Sequence, residues 1–174
     1  VAAAALKQLS ATPLSAFLQS EEGEQAAELT LRKPAPTSLP LWENYKVAAD
    51  TMGWVQSFIA VSMRFPGCLT LSDTSVPGNP LIYVNDAFCE LTGYTREEVL
   101  GRNCRFLQGP DTDQARVAAI RQGIADGVDT STCLLNYRAD GTPFWNQLFV
   151  AALRDINRRV VNYVGVQCPV DAPP

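Results

Sequence analysis

The residues with the most distinctive chemistry lie together in residues 101–109, which read Gly-Arg-Asn-Cys-Arg-Phe-Leu-Gln-Gly. One thiol, Cys104, stands between the amide of Asn103 and the guanidinium of Arg105, and a second amide follows at Gln108. Amides can hydrogen-bond a planar heterocycle, and arginine is a charged, bidentate donor that suits a phosphate. A role in packing alone explains poorly why a cysteine has these polar neighbours, so we predict a ligand site around it.

Further amides recur on three stretches that alternate with the period of β-strands. The residues that share a face are Thr132, Leu134 and Asn136 on the first stretch, Asn146, Leu148 and Val150 on the second, and Tyr163, Gly165 and Gln167 on the third. A buried amide without a partner costs about 1–3 kcal/mol. Three amides on one aliphatic wall therefore indicate a ligand with a hydrogen-bonding edge. The alternative is that the amides bond one another or the strand ends.

A second arginine accompanies the one beside the thiol. Arg121 lies sixteen residues after Arg105, on a predicted helix whose apolar face carries Val117, Ile120 and Ile124. Either arginine alone would be interpreted as a solvated surface residue. Together they could close on a phosphate at the mouth of the site.

The elements that must position these residues follow the order of two strands, several short helices and three strands. The pattern predicts strands at 69–73, 81–84, 130–137, 143–150 and 160–168, and a helix from 111 or 112 to about 126. This order predicts an α+β fold with an antiparallel sheet and helices on one face. The turn before the last strand lacks glycine, and Asn157 is the residue expected to accept a positive φ there.

Local signals mark the ends of the short helices. Asn85 or Asp86 is expected to cap the first of them, and Gly93 to end it. Thr95 and Glu98 have the spacing of a capping box at the start of the next. These breaks place Cys104 on a constrained turn after the second helix.

Composition narrows the classes of function. The five cysteines are odd in number and widely spaced, without a C-x-x-C pair, which argues against a disulfide scaffold or a zinc site. The absence of histidine excludes His-based metal sites and Ser-His or Cys-His catalysis. The net charge of −4 argues against nucleic-acid binding by this segment. No apolar run approaches the ~20 residues of a membrane span, and the start does not resemble a signal peptide.

The organisation of the chain is expected to have four parts. These are an extension with a Pro-rich linker at 1–40, a helical cap at 41–66, the core at 67–170 and a tail at 171–174. The chain does not begin with Met and ends soon after the last strand, so we expect a segment of a longer protein whose signal leaves through residues 41–63. That apolar segment is interpreted either as a cap on the sheet or as a homodimer interface.

The nine residues 101–109 match the signature of the LOV (light, oxygen, voltage) photoreceptor domains, a flavin-binding branch of the PAS fold. The resemblance runs from about Leu69 to Val170 and includes other blocks in the family's order. These blocks are Asn-Asp-Ala-Phe at 85–88, Leu-Leu-Asn-Tyr at 134–137, Phe-Trp-Asn at 144–146 and Tyr-Val-Gly-Val-Gln at 163–167. Residues 146–155 look most like the LOV domains of aureochromes, the algal light-regulated transcription factors. The resemblance implies a PAS/LOV fold with a five-stranded antiparallel sheet and N-terminal flanking helices.

The resemblance also implies roles for individual residues. Cys104 would be the photoreactive thiol and Gln167 the switch that faces flavin N5. Arg105 and Arg121 resemble the family's phosphate clamp, so FMN is the expected cofactor, with FAD as an alternative. The other polar flavin contacts would be Asn103, Gln108, Asn136 and Asn146, with Thr70, Ser72, Asn79, Leu107, Val117, Ile120, Ile124, Leu148, Val150 and Gly165 lining the cavity.

In the family, blue light leads to a covalent bond between the cysteine sulfur and flavin C4a, and N5 gains a proton. Gln167 would then meet a donor where it had met an acceptor, and an amide can satisfy either by rotating. The adduct reverts thermally, which implies a sensor and not an enzyme. Thr70 and Leu148 stand where the family often has bulkier or more apolar residues, which leaves the adduct lifetime open. Cys133 and Cys168 are expected to point away from the flavin, and Cys68 and Cys89 to fill apolar space.

Two other functions remain open at the level of sequence. One is a thiol or flavin redox enzyme, in which Arg105 would lower the pKa of the Cys104 thiol. The other is a flavin-free PAS interaction module. A LOV sensor of the aureochrome type would be intracellular, and nuclear if it belongs to a transcription factor.

Overall fold

The structure is a computed structural model that describes residues 45–47 and 51–172. The chain divides into two compact units, residues 1–66 and 67–174. In the first unit, helix α1 spans Met52–Ser62, within the apolar segment predicted to be helical. The expectations for residues 1–40 lie outside the described residues. No helix in the described ranges is both long and apolar enough to cross a bilayer.

The second unit is a five-stranded antiparallel sheet with short helices, which confirms the predicted α+β fold. The strands lie in the order β2-β1-β5-β4-β3, so β5 sits at the centre. The elements are β1 (Cys68–Asp73), β2 (Leu81–Val84), α2 (Asp86–Thr92), α3 (Arg96–Val99), a 3-10 helix (Cys104–Leu107), α4 (Gln114–Asp126), β3 (Thr130–Tyr137), β4 (Pro143–Arg154) and β5 (Val160–Val170).

The short helices begin and end where the sequence predicts. Asn85 caps α2 by accepting a hydrogen bond from the Phe88 backbone, and Gly93 ends this helix in the left-handed region at φ 75°. Thr95 and Glu98 form the expected capping box on α3. The Asn85 side chain also accepts from the Leu69 backbone at 2.9 Å, so one amide joins the first strand to the first helix of this unit.

Helix α4 begins later than the predicted Asp111 or Thr112, because both residues make other contacts. The hydroxyl of buried Thr112 donates to the Leu135 carbonyl at 2.6 Å and accepts from the Gly109 backbone at 3.0 Å. The cap is instead Asp113, whose carboxylate accepts from the backbone N–H groups of Ala115 and Arg116 in the first turn of α4. The segment before α4 is therefore attached to β3.

The prediction for the turn before β5 was wrong by one residue. Positive φ occurs at Arg158, at 66°, and not at Asn157. The Arg158 N–H donates to the Asp155 carbonyl, and the Asp155 N–H donates to the Arg159 carbonyl. This is a three-residue hairpin loop, in which the residue after a type I turn takes the left-handed conformation. The Asp155 carboxylate accepts from two backbone N–H groups and stabilises the loop without glycine.

We expect the Thr112→Val variant to lose about 1–3 kcal/mol of unfolding free energy, because the Gly109 N–H and the Leu135 carbonyl each lose a partner. Thr112→Ser keeps the hydroxyl and should lose less. Urea unfolding of both variants measures the difference. Equal losses for valine and serine would show that shape at this position matters and the hydroxyl does not.

Candidate functional site

A cavity lies between the sheet, the 3-10 helix and α4, and it brings together every predicted site residue except Val117 and Arg121. The predicted residues that line it are Thr70, Ser72, Asn79, Asn103, Cys104, Arg105, Leu107, Gln108, Ile120, Ile124, Asn136, Asn146, Leu148, Val150, Gly165 and Gln167. Val117 is buried in α4 outside this lining. Arg121 is exposed on the same helix and is likewise outside it.

Three lining residues were absent from the predicted site: Leu81, Leu134 and Tyr163. The last two lie on strand faces that the period of two had already assigned to the inside. Leu81 had no such signal. It faces Ser72 because the β1–β2 register shifts between Leu71 and Ser72, and a bulge of this kind changes the face to which the following residues belong.

One wall of the cavity carries buried amides, as the alternation of the strands predicts. Asn136 lies on β3, Asn146 on β4 and Gln167 on β5, and each is at most 3% exposed. The Asn146 side chain donates to the Asn136 oxygen at 2.9 Å, so two of the amides do bond each other. The side-chain oxygens of Asn146 and Gln167 are nevertheless buried without a partner among the described residues.

The two unpaired oxygens provide the test of fit for a flavin. Each buried acceptor without a donor costs about 1–3 kcal/mol. A ligand edge that carries N–H groups would recover this cost, and the pyrimidine side of an isoalloxazine alternates donors and acceptors. The rest of the lining is largely aliphatic, as a planar ring requires. The residues therefore fit the flavin that the family resemblance implies.

The turn that carries Cys104 is held on its N-terminal side by Asn103. The Asn103 side chain donates to the Gly78 carbonyl at 2.6 Å, and its oxygen accepts from the backbone and the guanidinium of Arg105. Asn103 is thus both the cap of the 3-10 helix and its link to the loop before β2. The contact also orients the Arg105 side chain.

The same turn is held on its C-terminal side by Tyr137, which sequence reasoning missed. The phenol donates to the Asp111 carboxylate at 2.9 Å and accepts from the Asp111 backbone at 3.2 Å. Its ring lies so close to Gly109 that a Cβ there would be 2.2 Å from the ring. Glycine is therefore required at this position by a close approach and not by its φ angle.

The thiol of Cys104 is shielded from water although the residue as a whole is half-buried. Burial raises its pKa to about 12, and a hydrogen bond with Thr70 acts in the opposite direction. Cys104 is therefore protonated at neutral pH. The cavity lining does not include Cys133 or Cys168, as predicted from their strand positions.

The fold agrees with comparisons to known proteins. A PAS domain family model matches residues 67–167. Phototropin-2 of Oryza sativa subsp. japonica is 51% identical over 100 residues, which cover 58% of this chain and 11% of that protein. Blue-light-activated histidine kinase 1 of Erythrobacter litoralis is 49% identical over 96 residues, which cover 55% of this chain and 27% of that protein. The chain thus spans a small part of the length of these relatives.

Solved structures give the same result. A light-state structure of the blue-light photoreceptor Aureochrome1 LOV is 54% identical, with a TM-score of 0.60, and the match covers 64% of this chain and 87% of that chain. A LOV domain studied with a flavin analogue is 57% identical, with a TM-score of 0.60, and the match covers 60% of this chain and 78% of that chain.

We expect Gly165→Ala to weaken flavin binding at least tenfold, because the added Cβ would lie 2.5 Å from the Thr70 hydroxyl and 3.0 Å from the Gln167 nitrogen. Titration of the apoprotein with flavin measures the dissociation constant. Gly53→Ala is a suitable control, since a Cβ there meets nothing within 4 Å. Unchanged flavin affinity in Gly165→Ala would show that the part of the cavity around Gly165 does not contact the ligand.

Proposed function

We propose, on the premise that the chain belongs to the PAS domain family and to its LOV branch, that it senses blue light through a flavin held in the cavity. The observation that carries the proposal is the shielded thiol of Cys104 beside a wall with two unpaired buried amide oxygens. The named relatives include phototropins and blue-light-activated histidine kinases.

Cys104 is the reactive group of this proposal. When bound, the flavin would supply absorption of blue light and an electrophilic ring carbon, and Cys104 would supply the sulfur that adds to this carbon reversibly and the proton that the ring takes up. Because Asn103 and Tyr137 hold the turn on both sides, the sulfur stays at one place on the cavity wall. Burial keeps its proton in place until the reaction begins.

The amide wall orients the ring. Asn136 and Asn146 are fixed to each other, so the free Asn146 oxygen presents one acceptor in a defined position. Gln167 lies on the central strand, and in the orientation observed its oxygen is unpaired, which suits a ring nitrogen that carries a proton. Its amide can rotate when the neighbouring ring nitrogen changes from acceptor to donor. This rotation is the proposed switch.

The cofactor is proposed to be FMN. Arg105 lines the cavity, and the predicted second clamp residue, Arg121, lies on α4 at the protein surface. A phosphate at the cavity mouth would be reached by Arg105 directly, and Arg121 would have to extend toward it. The phosphate is the part of FMN that riboflavin lacks, so the clamp can be tested by comparing the two ligands.

The signal is proposed to leave through β5, which pairs with both β1 and β4. We propose a regulatory output of the complete protein, such as transcription, and a homodimer through the N-terminal segment. One relative, 46% identical over 102 residues, is the bacterioopsin transcriptional activator of Halobacterium salinarum. This segment itself would act as a sensor without turnover, inside the cell.

The two alternative functions are less well supported by the site. A redox enzyme needs a reactive thiolate, whereas burial raises the pKa of the Cys104 thiol to about 12. A flavin-free interaction module would leave two buried amide oxygens without donors, at a cost that a protein core rarely retains.

We expect Cys104→Ala to keep the colour of bound flavin and to lose the blue-light bleaching that recovers slowly in the dark. Absorption spectra taken before, during and after illumination measure this. Cys168→Ala, which removes a half-buried thiol outside the cavity lining, should bleach and recover as the original protein does. If Cys104→Ala still bleaches and recovers slowly, the sulfur is not the reactive group.

We expect Arg105→Gln and Arg121→Gln each to lower the affinity for FMN about tenfold, because hydrogen bonds to charged groups contribute about 1.5–3 kcal/mol. Riboflavin affinity should change little. Fluorescence titration of the apoprotein with each ligand measures both. Arg159→Gln removes the same charge from the exposed β4–β5 turn and is the control. Equal losses for FMN and riboflavin would remove the phosphate clamp from the proposal.

A further inference from the structure

We propose that the Thr70 hydroxyl is a positioning group that links the Cys104 thiol to the Gln167 amide and holds this amide with its oxygen free for the ligand. The inference rests on the proposed photosensory function. It adds a role for Thr70 that acts through the two reactive side chains.

The contacts of Thr70 carry the proposal. Its hydroxyl accepts from the Gln167 nitrogen at 3.4 Å and donates to the Gly165 carbonyl at 3.4 Å. It also lies within hydrogen-bonding reach of the Cys104 thiol. Thr70 is 3% exposed, so its hydroxyl has little access to bulk water as an alternative partner. One hydroxyl thus meets both side chains that the photocycle is proposed to change.

The sheet places Thr70 at this junction. Thr70 on β1 is the register partner of Gly165 on β5, and Gln167 lies two residues further along the same face. The missing side chain of Gly165 makes room, since a Cβ there would lie 2.5 Å from the hydroxyl oxygen. The strand pairing and the glycine together bring the hydroxyl to the amide.

The chemistry of a hydroxyl suits this place because it has one donor and two acceptor positions. In the orientation observed, the Gln167 nitrogen points to Thr70, and the Gln167 oxygen is buried without a partner among the described residues. This oxygen can accept from a ligand N–H, which is the need of the illuminated state. Thr70 therefore stabilises the amide orientation that the illuminated state requires.

The test compares Thr70→Val with Thr70→Ser in the flavin-loaded protein. Valine keeps the shape and removes the hydroxyl, whereas serine keeps the hydroxyl. We expect the Thr70→Val variant to shorten the lifetime of the illuminated state about two- to tenfold, because the loss of one hydrogen bond changes a rate by about this factor. Serine should stay within about twofold. Equal changes for both variants would overturn the proposal, because they would show a packing effect.

A double-mutant cycle with Gln167→Leu separates action through the amide from other effects. In the Gln167→Leu background, Thr70→Val should change the lifetime by less than about twofold. If the fold-changes of the two substitutions simply multiply, Thr70 does not act through Gln167 and the proposal fails. Flavin content and unfolding temperature of each variant show whether the fold is retained.

A measurement in the dark keeps the inference distinct from the photosensory function. The side-chain N–H₂ resonances of Gln167, identified by their loss in Gln167→Leu, should shift in Thr70→Val and stay in place in Thr70→Ser. Unmoved resonances in the valine variant would overturn the inference even if the protein responds to light. Absence of any light response in the original protein would overturn the photosensory function instead, and the resonances would still report the Thr70–Gln167 bond.

Discussion

The constraint that most shapes this structure is the free-energy cost of burying amide oxygens in an aliphatic cavity. The Asn146 and Gln167 oxygens are buried without protein partners among the described residues. Leucine at both positions would have avoided this cost. Because the chain keeps the amides, two buried oxygens lack hydrogen-bond donors until a ligand with N–H groups enters the cavity. The stability of the domain and the occupancy of its site are therefore coupled through the same two atoms.

Strand register decides whether this wall exists. β5 lies at the centre of the sheet and pairs with β1 on one side and β4 on the other. A slip of one residue would turn Gln167 outward and bring the thiol of Cys168 into the cavity. The hairpin loops fix the register, at Gly141 between β3 and β4 and at Arg158 between β4 and β5. The site is thus specified by turns that lie outside it.

Much of the fold and of the site could be predicted because both depend on local rules. The period of two identified the amide wall, and the Asn85 cap and the Thr95–Glu98 box fixed the ends of the short helices. Two of the predictions that failed depended on contacts distant in sequence. The start of α4 is set by the Thr112 bond to β3. Leu81 faces inward because of a bulge in its pairing with β1.

The reactive turn shows why a thiol of high pKa suits a reversible sensor. The turn is attached to the loop at Gly78 through Asn103 and to Asp111 through Tyr137, so the sulfur cannot move away from the cavity. A thiolate held in this way would be open to oxidation in the dark, because the thiolate is the form that oxidants attack. Burial prevents this by keeping the Cys104 proton in place. A thiol that stays protonated in this way suits the reversible reaction proposed for it.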